Sequence, residues 1–127
     1  MQKGQMFMAE FEMRQQLADF FREHPGQGRL RVQVSTGRGT FPVEGTRVEV
    51  SREMAGGRQV FYRAVSDRSG LVMGITLPVQ AAGEEAVGTV YQVWVEHPDY
   101  LPLSGRDVLV WPGVETVLPV DLQPRVQ

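Results

Sequence analysis

At Pro25 and Gly26 the spacing of apolar residues changes from a helical period to a period of two, and that change constrains the fold more than any other feature of the chain. Residues 5–24 hold neither Gly nor Pro and are rich in Met, Glu, Gln, Ala and Leu, which lose little conformational freedom in a helix. At about 100° per residue, Met6, Ala9, Met13, Leu17, Phe20 and Phe21 form one apolar stripe, with Phe7, Phe11 and Ala18 beside it. Glu12, Gln15, Asp19 and Glu23 lie opposite. Pro25 and Gly26 end this amphipathic helix.

The apolar arc is wider than the face of about 100° that a helix needs to rest on one sheet. Two readings follow. In one the helix packs along its own domain; in the other it also forms a homodimer or docks onto a larger partner. A membrane-surface helix is disfavoured, because the polar face carries more acid than base.

Beyond Gly28 apolar and polar residues alternate, with turn residues at roughly 8–12-residue intervals. Leu30, Val32 and Val34 mark the first strand, and Val43, Val48 and Val50 a second run. Gly56 and Gly57 predict a hairpin into 58–66, and Asp67 to Gly70 a tight turn. Strands over 71–77, 89–97, 107–111 and 115–122 complete about seven. Seven short strands without helical crossovers predict a mainly β fold: an antiparallel two-layer sandwich carrying one N-terminal amphipathic helix. With 127 residues, this is one domain at 26–127 and a helical appendage at 1–25.

Charge and composition remove whole classes of function. A net charge of −2 offers no broad basic field for nucleic acid. The absence of cysteine removes disulfides, thiolate metal sites and thiol nucleophiles. No stretch approaches the roughly 20 apolar residues of a membrane span, and Glu10, Glu12, Arg14 and Asp19 interrupt the N-terminus where a secretory signal would be apolar. The expectation is a chain cytoplasmic as synthesised, exported by another route, or cut from a longer precursor.

Candidate chemistry resolves mostly into structure. Asp67 precedes Arg68, Ser69 and Gly70 as turn residues do. Glu84 and Glu85 are a solvated loop pair, and His97, without a second histidine near it, is a partly buried structural residue where a strand meets Pro98. Ser69 and Ser104 lack a nucleophile elbow, and phosphate-binding glycine patterns are missing. No catalytic residue, cofactor or metal is expected. By alternation with Tyr91, Val93 and Val95, Trp94 points away from the core beside Gln92 and Glu96, and Trp111 is likewise out of phase with Val108 and Val110.

Five fragments in order resemble the carboxypeptidase regulatory-like, or transthyretin-like, β-sandwich superfamily over roughly residues 28–124. They are Gly28 to Val34 with Phe41 to Val50; Ser66 to Gly70; Ile75 to Pro78; Tyr91 to Val95 with Pro98, Asp99 and Tyr100; and Val108 to Leu122. Thr46 stands where a small Ala is usual, and Asp99 where Gly is usual. The resemblance is closest to modules of spore or cell-wall proteins of Firmicutes. It implies a folding, spacing or docking unit. One enzymatic relative in that superfamily, a 5-hydroxyisourate hydrolase, uses several histidines and an arginine and a Tyr-Arg-Gly-Ser terminus; this chain has only His24 and His97 and ends Gln123 to Gln127.

Sequence alone thus leads to a non-catalytic interaction or scaffolding module. It docks to another protein or to itself through Met6, Phe7, Phe11, Met13, Leu17, Phe20 and Phe21, or through an outer sheet face bearing Trp94 and Trp111. A module binding carbohydrate or cell-wall peptidoglycan is the second reading, and an accessory hydrolase domain the third.

Overall fold

The computed structural model describes residues 2–83 and 87–126, and side chains from Phe11 onward. One helix and eight strands are present among them: α1 (Gln2–Glu23), β1 (Gly26–Thr36), β2 (Phe41–Pro42), β3 (Arg47–Met54), β4 (Gly57–Val65), β5 (Leu71–Val79), β6 (Thr89–Glu96), β7 (Leu103–Val110) and β8 (Glu115–Leu122). They form two sheets. In sheet A, β1 pairs with β8 along one edge and, in succession along the other, with β5 and then at Ser35 and Thr36 with the two-residue β2; sheet B runs β4-β3-β6-β7.

The mainly β sandwich with an N-terminal helix matches the expectation from alternation. Inward residues from both sheets, including Leu30, Val32, Val34, Val50, Ile75, Leu77, Val93 and Val120, make one continuous core. One ladder departs from the antiparallel rule: β8 pairs with β1 in parallel, from Arg29 opposite Glu115 to Thr36 opposite Leu122. A parallel pair requires a long connection, and here the whole of sheet B, together with β2 and β5, serves as that connection.

Local chemistry fixes the turns. The Asp67 carboxylate accepts from the backbone N–H groups of Ser69 and Leu71, both at 2.9 Å. Gly70 has φ of 77°, and a Cβ there would lie 2.2 Å from the Val34 carbonyl oxygen, so only glycine satisfies this corner. Thr46 is fully buried, with its hydroxyl lacking a hydrogen-bond partner, whereas the nearby Ser66 hydroxyl accepts from Thr46 N–H and donates to the Val43 carbonyl.

The two long sides of the sandwich close differently. Between edge strands β7 and β8, Arg106 donates to the Pro119 carbonyl at 3.0 Å and the Thr116 hydroxyl to that of Leu109 at 3.2 Å. Side chains thereby cap edge carbonyls that would otherwise template another strand. Toward β4 and β5 the closure is aromatic. Phe20 from α1 is only 6% exposed; its ring lies 5.4 Å from Phe61 and 6.5 Å edge-on to Tyr91. The Tyr91 hydroxyl donates to the Pro78 carbonyl, tying β6 to β5 across the core.

His24 finishes the helix, donating through Nδ1 to the Phe20 carbonyl at 2.8 Å and stacking on the Phe20 ring at 4.0 Å. Residues 26–127 contain neither lysine nor cysteine. No amine or thiol can form a covalent clamp between the sheets, so packing and hydrogen bonds hold them.

Three outcomes are expected. Phe20→Ala removes the ring that closes the β4 and β5 side and should cost about 3 kcal/mol in chemical denaturation. Thr46→Val replaces an unpartnered buried hydroxyl and should gain about 1 kcal/mol by the same measurement. Burial raises the Tyr91 pKa far above its ordinary value. A raised folded-state pKa gives stability that is complete below the unfolded pKa and is lost as pH rises beyond it. Stability should therefore fall above about pH 10, and Tyr91→Phe should flatten that alkaline slope in denaturation curves recorded from pH 8 to pH 11.

Candidate interaction site

Two surfaces carry the residues that the sequence singles out. The first is the helix. Its seated side comprises Phe20, half-buried Leu17, and Met13 over the β3–β4 turn. A Cβ on Gly56 would fall 2.8 Å from the Met13 sulfur, and Gln16 Oε1 accepts from the Gly56 N–H at 3.1 Å. Arg52 places its guanidinium 5.1 Å from the Phe20 ring centroid and donates to the Val90 carbonyl. With no side chain at Gly56, the Met13 thioether lies directly over the turn.

The other side of the helix stays in solvent. Phe11 is 58% exposed and Ala18 is exposed beside it, while Phe21 is 48% exposed with its ring edge-on to Phe61 at 6.2 Å. Positions 7, 11, 14, 18 and 21 alternate in steps of four and three, the spacing of a helix seam that meets another helix. Met13, Gln16 and Phe20 follow the same alternation on the seated side. The wide apolar arc is therefore two seams, one seated on the sandwich and one open except where Phe21 meets Phe61. The side chains of Met6 and Phe7 lie outside the described residues, as do Glu84 and Glu85. The Arg22 guanidinium bonded to Asp19 holds that carboxyl below its ordinary pKa on the polar face.

The second surface is the outer face of sheet B. Trp94 points outward, as alternation predicts, but its ring is not free. Its Nε1–H donates to Ser51 Oγ at 3.0 Å, and the Arg58 guanidinium sits 4.3 Å from the ring centroid. Gly105 on β7, with φ of 67° and no side chain, leaves room for the indole edge 3.6 Å from where its Cβ would be. Glu49 accepts from Arg58 and, at 2.9 Å, from Arg63.

Trp94, Arg58, Glu49 and Arg63 line an open groove of about 580 Å³, together with Arg47, Val65, Glu96, Pro102, Leu103 and Ser104. The Arg58–Glu49–Arg63 cluster is absent from the sequence reading; its signal lies in the hairpin register that sets Glu49 opposite Arg63.

Trp111 faces the same way, 40% exposed, at the far end of the sheet beside exposed Val90 and Leu109 and against Gly88. With six residues of β6 direction separating Gly88 from Trp94, the two indoles stand about 20 Å apart along the sheet rather than forming one aromatic platform. The helix contacts described above fall on neither. His97 serves a turn: its Nδ1 accepts from the Asp99 N–H at 3.1 Å and its ring meets Tyr100 edge-on. Among the described residues, no three His, Asp or Glu side chains gather as a metal site would require.

No family model and no curated protein matches the chain. Solved structures do. The Bacillus anthracis TIE protein superposes with a TM-score of 0.56 at 16% identity, over 78% of this chain and 17% of that one. The minor pilin GBS52 of Streptococcus agalactiae superposes with a TM-score of 0.57 at 12% identity, over 80% of this chain and 46% of that one. This chain thus spans about a sixth of the first and under half of the second. At such identities the likeness is one of fold: the chain is a β-sandwich of the architecture found within these two bacterial proteins.

Proposed function

We propose that this chain is a non-catalytic protein-docking module of the bacterial surface, in which the sandwich at 26–127 supports and orients the helix at 1–25. The observation that carries this reading is the exposed stripe of Phe11, Ala18 and Phe21, open except where the Phe21 ring meets Phe61, on a helix whose other stripe is already seated. Large aromatics held in solvent on a rigid support are costly unless another surface covers them.

The likeness to a minor pilin and to the TIE protein favours a surface or adhesion role over an enzymatic one. The motif order from Gly28 to Leu122 supports placing the chain in the carboxypeptidase regulatory-like, or transthyretin-like, superfamily, and a spore or cell-envelope setting belongs to the same proposal. An accessory hydrolase needs a concave site with free ionisable groups; in the charged groove, the Glu49 carboxylate is engaged by two guanidinia. The carbohydrate reading keeps one observation, the exposed Trp111 ring, since Arg58 covers Trp94.

Lys3 is the only lysine, so an amine-directed photo-cross-linker marks the start of the helix and the chain terminus alone. Full-length protein labelled there should capture a defined partner from cell-envelope extracts, or a second copy of itself. Phe11→Glu should abolish that adduct while changing stability by less than about 0.5 kcal/mol. Capture that persists unchanged in Phe11→Glu refutes docking through this seam, and retention on purified cell wall that is lost in Trp111→Ala moves the carbohydrate reading to first place.

A further inference from the structure

We infer that the groove on the outer face of sheet B binds an extended acidic peptide segment through Arg47, Arg58 and Arg63. This deepens the docking reading by giving the sandwich a ligand of its own, on residues separate from the helix. The groove has three guanidinia and two carboxylates on its walls. One carboxylate, Glu49, is spent inside the protein, where it holds Arg58 and Arg63 at fixed positions.

Arg63 uses only its Nε in that contact, and its side chain is 73% exposed, so both terminal nitrogens face solvent. Arg58 is further immobilised by the Trp94 ring, itself pinned through Ser51. An Arg whose side-chain entropy is already lost is a stronger anion receptor than a free one, because its fork is set before the ligand arrives.

The remaining carboxylate, Glu96, lies directly across the β3–β6 ladder from Arg47 without reaching ion-pair distance. Among the described residues it is the one carboxylate lining the groove without an ion-pair partner, and it opposes an incoming anion. Charge thus selects a carboxylate-bearing ligand, and shape selects an extended one. The groove is open, of a volume typical of binding sites at about 300–1,000 Å³, and walled by Val65, Pro102 and Leu103. A neutral sugar would need the aromatic face that Arg58 covers. The whole chain carries −2, so a polyanion gains nothing from its overall field, and attraction here is local.

Full-length Trp111→Phe protein leaves Trp94 as the sole indole reporter. Titration with hexaglutamate should produce a saturable change in Trp94 emission that weakens steeply with salt, while hexaglutamine gives none. Arg63→Gln and Arg47→Gln should each weaken binding about tenfold, and Glu96→Gln should strengthen it several-fold, with unchanged melting temperatures throughout. No saturable response to hexaglutamate overturns the assignment, as does a response that Arg63→Gln leaves intact. An equal response to a linear polyuronate at matched charge overturns the peptide as the ligand. Because the helix is present and unaltered in every arm, failure here leaves docking through Phe11 standing, and failure of Phe11→Glu to matter leaves this groove standing.

Discussion

The contact among Phe20, Phe61 and Tyr91 couples three parts of the molecule that share no backbone ladder: the helix, edge strand β4 and the interior of β6. Its force is ordinary. An aromatic ring buried to the extent of Phe20 is worth roughly 1.5–3 kcal/mol of hydrophobic transfer, and edge-on ring pairs add a fraction of that. What matters is its position. On the opposite side, Arg106 and Thr116 latch β7 to β8 with hydrogen bonds to edge carbonyls. Here no comparable latch exists among the described residues: the rings seat the helix on β4 and β6 of sheet B, and the Tyr91 hydroxyl on the Pro78 carbonyl ties that sheet to β5 of sheet A. The helix is part of the fold's closure before it is anything else.

That arrangement explains why the helix presents a second seam at a defined angle. An isolated helix of this length is marginal in water, because its first turn costs more than it returns. Seating Met13, Gln16 and Phe20 on the sandwich fixes the C-terminal turns, and each further residue toward the N-terminus then adds one backbone hydrogen bond to an existing helix. The sandwich acts as the nucleus. A partner meeting Phe11 and Phe21 therefore bears less of the ordering entropy that a disordered segment would charge to binding.

How much of this the sequence discloses depends on whether the signal is a parity or a distance. Alternation placed Leu30, Val32, Val34, Tyr91, Val93 and Val95 inward and Trp94 outward, and the structure agrees at each, because pleating makes facing a matter of counting. The corner at Asp67 and Gly70 was equally legible, since its hydrogen bonds are local. Partnership was not. The alternation of β8 is the same whether it runs parallel or antiparallel to β1, so the first-to-last ladder left no local trace. Nor did parity say that Arg58, far along the hairpin from Glu49, would lie over the Trp94 ring; a bulge between Val50 and Ser51 shifts the register by which that could be counted. The wide apolar arc on the helix was visible as a width. Only the seat at Gly56 and Phe61 divides it into a covered seam and an open one.

The two candidate surfaces make different physical demands, and the molecule meets them with different means. The helix seam is apolar and strong only when water is excluded, so it needs a partner of matching shape and tolerates salt. The groove is polar and its strength lies in guanidinia fixed in advance by Glu49 and Trp94, so it needs opposite charge and weakens with salt. Neither depends on the other for its geometry: Phe20 anchors one, the outer faces of β3, β4 and β6 the other. A rigid sandwich between them converts two modest contacts into a bivalent one whenever a single partner, or an array of partners, reaches both. The second contact then forms at the high effective concentration that a rigid spacer provides. The absence of a lysine or a cysteine within the sandwich leaves that rigidity resting on the packed core and on the aromatic closure at Phe20.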